Sequence, residues 1–272
     1  MLEHNIWIAF GLTIIAGLAT GIGSLIALVA KHTNTKFLSI SLGFSAGVML
    51  YVSFMELIPT ARLELTQLMG NKTGMLYLLL AFFGGIGFIT LIDFLIPEKN
   101  NPHELHGVEE IRNVKSNQKS LQRIGIVVAM SLAIHNFPEG IATFTAAVSG
   151  GLSIGIPIAL AIAIHNIPEG IAVSVPIYHA TGNKRKAFWI SFLSGLAEPL
   201  GALIAYIFLM PFWSPAINGI VLTAVSGIMV YISLDELLPT AEKYGKHHLS
   251  ISGLIAGMIV MALSLYLFRL PF

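Results

Sequence analysis

Apolar residues come in eight long runs along the chain, separated by short polar clusters or glycine and proline breaks. The runs are Asn5–Ala30, Phe37–Ala61, Gly74–Pro97, Ile124–Val148, Ser153–Tyr178, Ala187–Met210, Ala216–Thr240 and Ser250–Phe268. A helix needs about 20 mostly apolar residues to cross a bilayer, so each run predicts one membrane-spanning helix. The first run carries no acidic or basic residue before Lys31. Its length, with no basic leader before it, reads as a span rather than a cleaved signal segment. Ser149-Gly150-Gly151 divides the fourth run from the fifth, and the stretch Pro211–Pro215 divides the sixth from the seventh. The longest polar interval, Glu98 to Arg123, shows no period and reads as a flexible loop within a single transmembrane domain covering residues 1–272.

Composition narrows the class further. Of 272 residues, 55% are hydrophobic and 11% charged, against roughly 25% charged in a soluble domain. The expected fold is therefore all-α and embedded in the lipid bilayer. A net charge of +1 excludes a broad basic face for nucleic acid. The absence of cysteine excludes disulfides, thiolate metal sites and cysteine nucleophiles.

Lysine and arginine set the expected orientation, because they favour cytoplasmic loops. With the N-terminus outside, the inner loops hold Lys31, Lys36, Lys99, Arg112, Lys115, Lys119, Arg123, Lys184, Arg185, Lys186, Lys243 and Lys246. Of the 15 basic residues, Arg62, Lys72 and Arg269 are left outside. Both termini are thus expected outside, and the loop 98–123 in the cytoplasm.

The runs also repeat. A-G-V-M-L-Y-V-S-F-M-E-L-I-P-T-A from Ala46 pairs with S-G-I-M-V-Y-I-S-L-D-E-L-L-P-T-A from Ser226. Gly47, Tyr51, Glu56 and Pro59 match Gly227, Tyr231, Glu236 and Pro239. A weaker match relates the stretch beginning at Ala16 to that beginning at Ser194. Spans one to three are expected to recur as six to eight. Copies five spans apart must enter the membrane from opposite sides, the inverted repeat found in many secondary transporters.

Between the copies lies a second duplication: H-N-F-P-E-G from His135 and H-N-I-P-E-G from His165. Residues three and four apart share a helix face, so Glu139 lies one turn from His135 and Asn136, and Glu169 one turn from His165 and Asn166. A carboxylate between an imidazole and an amide can give an oxygen to a cation on each side. Two such helices face to face could hold two neighbouring cations bridged by Glu139 and Glu169. Pro138 and Pro168 are expected to kink the helices and free carbonyls near Ile134 and Ile164. Span six adds Glu198.

A charge at mid-helix costs about 2.5–3.5 kcal/mol on insertion scales, and no lysine or arginine lies within these spans to neutralise the three glutamates. They must be protonated, solvated or bound to cations. Glu56, Asp235 and Glu236 fall near the expected ends of their spans, where roles in the path or gate compete with simple solvation. The pairs Gly17/Gly21, Gly43/Gly47 and Gly253/Gly257 predict close helix packing. Three functions stay open on these residues: a divalent-cation transporter, a proton- or sodium-coupled carrier of an organic solute, and an intramembrane metalloenzyme. The last has no H-E-x-x-H motif and no assigned nucleophile.

The twin H-N-x-P-E-G, the G-L-A-E-P of span six and the M-E-L-I-P-T-A and D-E-L-L-P-T-A endings together resemble the Zrt-/Irt-like (ZIP) divalent-metal transporters, most nearly their bacterial branch. The resemblance implies a 3+2+3 helical arrangement and uptake of zinc, iron, manganese, cobalt or similar ions into the cytoplasm, as substrates rather than cofactors. It implies one metal position lined by His135, Glu139, His165 and Glu169. A second would be lined by Asn136, Glu139, Asn166, Glu169 and Glu198, with Glu56 as a contributor to the path. It implies no catalytic residue, and it leaves association into a homo-oligomer open.

Overall fold

In a computed structural model of the chain, residues 2–29, 35–95, 133–134, 136–149 and 151–269 are described. Among them every regular element is helical: α1 Leu2–Val29, α2 Thr35–Val52, α3 Ile58–Met69, α4 Asn71–Leu95, α5 at 136–149, α6 Leu152–Thr181, α7 Lys184–Gly195, α8 Ala197–Leu209, α9 Pro215–Ile232, α10 Leu238–Tyr244 and α11 His247–Arg269. Seven segments are long and apolar enough to cross a membrane: Ile6–Val29, Thr35–Met69, Asn71–Leu95, Ile154–Val175, Lys184–Phe212, Pro215–Tyr244 and His247–Leu267. These correspond to seven of the eight expected spans. The other, Ile124–Val148, falls partly outside the described residues, as the expected loop 98–123 does entirely.

The surface is apolar where a soluble protein's would be polar. Phe83, Phe88, Leu91 and Phe94 on α4 and Leu263, Tyr266 and Leu267 on α11 are exposed. Buried positions in turn include many serines and threonines, such as Thr20, Ser24, Ser45, Ser191 and Ser226. In hydrocarbon, small polar residues belong between helices, where they can bond to backbone. Ser24 Oγ donates to Ser191 Oγ at 2.6 Å, joining α1 to α7. Short turns end the helices by ordinary local chemistry. Gly182 (φ +65°) closes α6 in the left-handed region, and the Asn183 side chain accepts from the N–H of Lys186 at 3.0 Å to start α7. Lys184 Nζ donates to the Leu28 carbonyl at 2.6 Å, capping the C-terminal end of α1 with positive charge.

Two elements depart from the expected spans. The second span does not stop at Ala61, nor the seventh at Thr240. Each passes through a π-helical turn, Ser53–Leu57 and Ser233–Leu237, and then continues as α3 and α10. The cause is Pro59 and Pro239. A proline ring crowds the carbonyl four residues before it and offers no N–H. Widening one turn to i→i+5 bonding relieves the clash, and the N–H of Ile58 and of Leu238 bond to Ser53 O and Ser233 O. Identical π turns at matching positions are a structural signature of the repeat. Glu56 is consequently buried within a continuous segment rather than lying near a helix end. Asp235 is exposed and Glu236 half-buried.

Equivalent glycines make equivalent contacts in the two copies. A Cβ on Gly17 would collide with the Gly195 carbonyl, and one on Gly195 with the Gly17 carbonyl. Gly47 meets the Leu254 carbonyl as its counterpart Gly227 meets that of Phe82. Gly257 meets Phe44 O as Gly85 meets Ala224 O. Thus α2 packs along α11, and α9 along α4, each with backbones close enough that only glycine fits.

Candidate metal site

The twin motifs lie on α5 and α6, and the packing of these helices follows the same rule. Gly140 on α5 is pressed against the backbone of Glu198 in α8, while Gly170 on α6 is pressed against the backbone of Thr20 in α1. Gly201 meets the Phe137 carbonyl as Gly23 meets that of Ile167. Each motif therefore leans on the first helical segment of one repeat copy, and the two motifs face each other across the centre. Their asparagines are fixed in matching ways. Asn136 Nδ2 donates to Ser194 O at 3.3 Å, and Asn166 Nδ2 to Ala16 O at 2.9 Å. The rings of Phe10, Phe144 and Tyr206 close one flank of this packing, Phe10 lying 5.0 Å from Phe144 and 5.7 Å from Tyr206 between centroids.

At the centre, Glu139, His165 and Glu169 each offer a ligand atom, and these atoms all lie within 4.8 Å of one another. His165 Nε2 is 2.9 Å from Glu139 Oε1, a contact between the two motifs rather than within either. All three residues are buried. Glu198, also buried, accepts from Asn166 Nδ2, so α8 contributes its carboxylate to the same polar core. Glu198 Oε2 and the Oδ1 atoms of Asn136 and Asn166 are buried and have no hydrogen-bond partner among the described residues. A buried acceptor without a partner costs about 1–3 kcal/mol.

Of the sequence-predicted site residues, Asn136, Glu139, His165, Asn166, Glu169 and Glu198 thus share one buried region. His135 lies outside the described residues. α6 continues through Pro168 as one helix. Next to Ile164, the His165 carbonyl meets an outside donor: Ser45 Oγ on α2 donates to it at 2.8 Å. Sequence reasoning missed Ser45 because a lone serine in an apolar run carries no signal by itself. It also missed the pair of hydrogen bonds from Asn218 Nδ2 to both oxygens of Glu64, at 2.9 and 2.8 Å, which ties α9 to α3.

Residues 95–265 match the family described as ZIP Zinc transporter. The chain is 59% identical to a protein named Zinc transporter ZupT from Streptococcus mutans over 98% of this chain and all of that one. It is 57% identical to a Zinc transporter ZupT from Clostridium perfringens, over 97% of each chain. To that of Lysinibacillus sphaericus it is 58% identical, over 98% of this chain and 99% of the other.

Proposed function

From the premise that the chain belongs to the ZIP zinc transporter family, and is a transporter rather than an enzyme, we propose that it carries divalent transition-metal cations, zinc among them, into the bacterial cytoplasm. The observation that carries this reading is the buried set Glu139, His165 and Glu169, drawn from two motifs and converging within 4.8 Å. Two ligand atoms at about 2.0–2.1 Å from one ion stand at most about 4.2 Å apart, so movements of about half an ångström close the set on a cation. Imidazole and carboxylate without thiolate suit Zn²⁺, Fe²⁺, Mn²⁺ or Co²⁺.

A second position beside the first is lined by Asn136, Asn166 and Glu198, with Glu139 and Glu169 reaching both and His135 joining the first. The oxygens of Asn136, Asn166 and Glu198 that have no partner among the described residues support it, because a cation would give all three one. A hydrated ion exchanges waters for these groups one at a time, so no step leaves it bare in a low-dielectric core. The glutamates supply the negative charge that offsets its dehydration. Paired glycine seams and matched π turns support a 3+2+3 arrangement with spans one to three inverted as six to eight. With basic residues inside, both termini face outward. Alternating access then follows from a tilt of one helical group against the other around a fixed site.

Elemental mass spectrometry on detergent-purified protein tests the site. Wild type dialysed against zinc should retain one to two ions per chain, and His165→Ala/Glu169→Ala should retain none. Proteoliposomes should accumulate zinc only with the wild type. An empty wild type would overturn the metal reading in favour of a proton-coupled carrier of an organic solute.

A further inference from the structure

The repeat assigns a role to a residue of the first helix. Thr20 follows Gly17 by three positions, and Glu198 follows Gly195 by three. Gly17 and Gly195 meet each other backbone to backbone, so they mark the axis relating the two copies. Several contacts around the site obey that relation. Gly140 rests on Glu198 as Gly170 rests on Thr20. Asn136 binds Ser194 O as Asn166 binds Ala16 O. Glu198 reaches the asparagine of the opposite motif, Asn166; the same operation would carry the Thr20 side chain to the Asn136 side.

Thr20 and Asn136 are both fully buried. Thr20 Oγ1 and Asn136 Oδ1 have no hydrogen-bond partner among the described residues. Many buried threonines and serines here satisfy their hydroxyl on a carbonyl of the preceding turn, as Thr145 does on Ile141 O, Ser174 on Gly170 O and Thr223 on Gly219 O. Thr20, like Thr143, Ser39 and Ser53, has no partner among the described residues. Its side chain is two bonds shorter than a glutamate, and a Cβ on Gly195 would stand 3.0 Å from its Oγ1.

Resting on the metal-transport reading, we propose that Thr20 is a positioning residue of the cation site, its hydroxyl holding a water that the bound ion keeps on its Asn136 side. The site is then charged on the α8 side and hydrated on the α1 side. A cation that must keep one water is favoured over one that sheds its shell completely, so position 20 helps set which metals are carried.

Zinc binding by isothermal titration in detergent, with manganese and cadmium as competitors, tests this on wild type, Thr20→Val and Thr20→Ser. Thr20→Val keeps the shape and removes the hydroxyl. It should weaken zinc binding about 10-fold, the scale of an outer-shell contact, shift the ratio of zinc to competitor affinity, and leave the stoichiometry and melting temperature unchanged. Thr20→Ser should restore both affinity and ratio, which a merely space-filling role would not require. Transferring the carboxylate, Thr20→Glu with Glu198→Thr, should recover binding that Glu198→Thr alone loses. A metal-loaded wild type whose affinity and ratio Thr20→Val leaves untouched would overturn the role of Thr20 alone. A wild type that binds none of the three metals would overturn the transport reading and this role with it.

Discussion

Three residues beyond the glycine where α1 and α7 touch, the first copy of the repeat has Thr20; the same step in the second copy reaches Glu198. The π turn of the first copy holds Met55 where that of the second holds Asp235. The seams around these positions are alike, glycine against carbonyl at each matched pair. Scaffold and chemistry have thus diverged to different degrees. Helix packing without a hydrophobic drive between helices depends on close backbone approach, which tolerates no added atom, whereas a polar core tolerates exchange of one donor set for another. The symmetric half of the molecule is its packing, and the asymmetric half is its charge.

The strongest way to break that contrast is to attack a seam. Gly85→Leu would drive a side chain into the Ala224 backbone and should cost on the order of 5 kcal/mol or more. The expected result is loss of the monodisperse peak in detergent size-exclusion chromatography. Next comes the polar core. Glu139→Ala and Glu169→Ala should each lower zinc uptake by proteoliposomes at least about 100-fold, beyond the usual loss for an outer-shell contact, while the chromatographic profile stays that of the wild type. Retained uptake in both variants would remove the proposed site.

A smaller effect is expected where the two halves differ outside the core. Asn218→Leu removes both hydrogen bonds to Glu64 and leaves a half-buried carboxylate facing apolar surface, a loss of about 1–3 kcal/mol seen as a lower melting temperature. Adding Glu64→Leu to that variant should recover part of the loss, because no acceptor is then left behind. The smallest change sharpens the first prediction. Gly84 is the chain neighbour of Gly85, yet a Cβ there meets nothing within 4 Å. Gly84→Leu should shift stability by about 0.5 kcal/mol or less, so equal damage from both leucines would contradict the seam.

Much of the fold was legible because its signals are local. Eight apolar runs need only the length of a bilayer and the composition of each stretch, and the twin motifs need only the spacing that puts His, Asn and Glu on one face. The register of the repeat could be read from matched Gly, Tyr, Glu and Pro alone. The fate of Pro59 could not. By itself, a proline after an apolar run reads as the end of a helix, but packing of α2 along α11 holds the segment in line and the strain is taken up by one π turn. Glu56 is buried for that reason, against the expectation of a helix-end carboxylate. Asn136 and Asn166 were legible as candidate ligands but not as donors to Ser194 and Ala16, since those carbonyls lie on helices remote in sequence.

The sequence by itself determined that the chain is built to lie in a membrane, which residues are candidates to bind a cation, and that the stretches around Glu56 and Glu236 repeat. Those conclusions rest on composition, spacing and self-similarity, none of which requires knowing what touches what. Tertiary structure decided which of the candidate residues meet. Glu139 finds His165 of the other motif, and Glu198 finds Asn166. The physical reason is that a helix fixes only the positions of groups one turn apart on its own face, while the distance between two faces is set by how closely glycines let the helices approach.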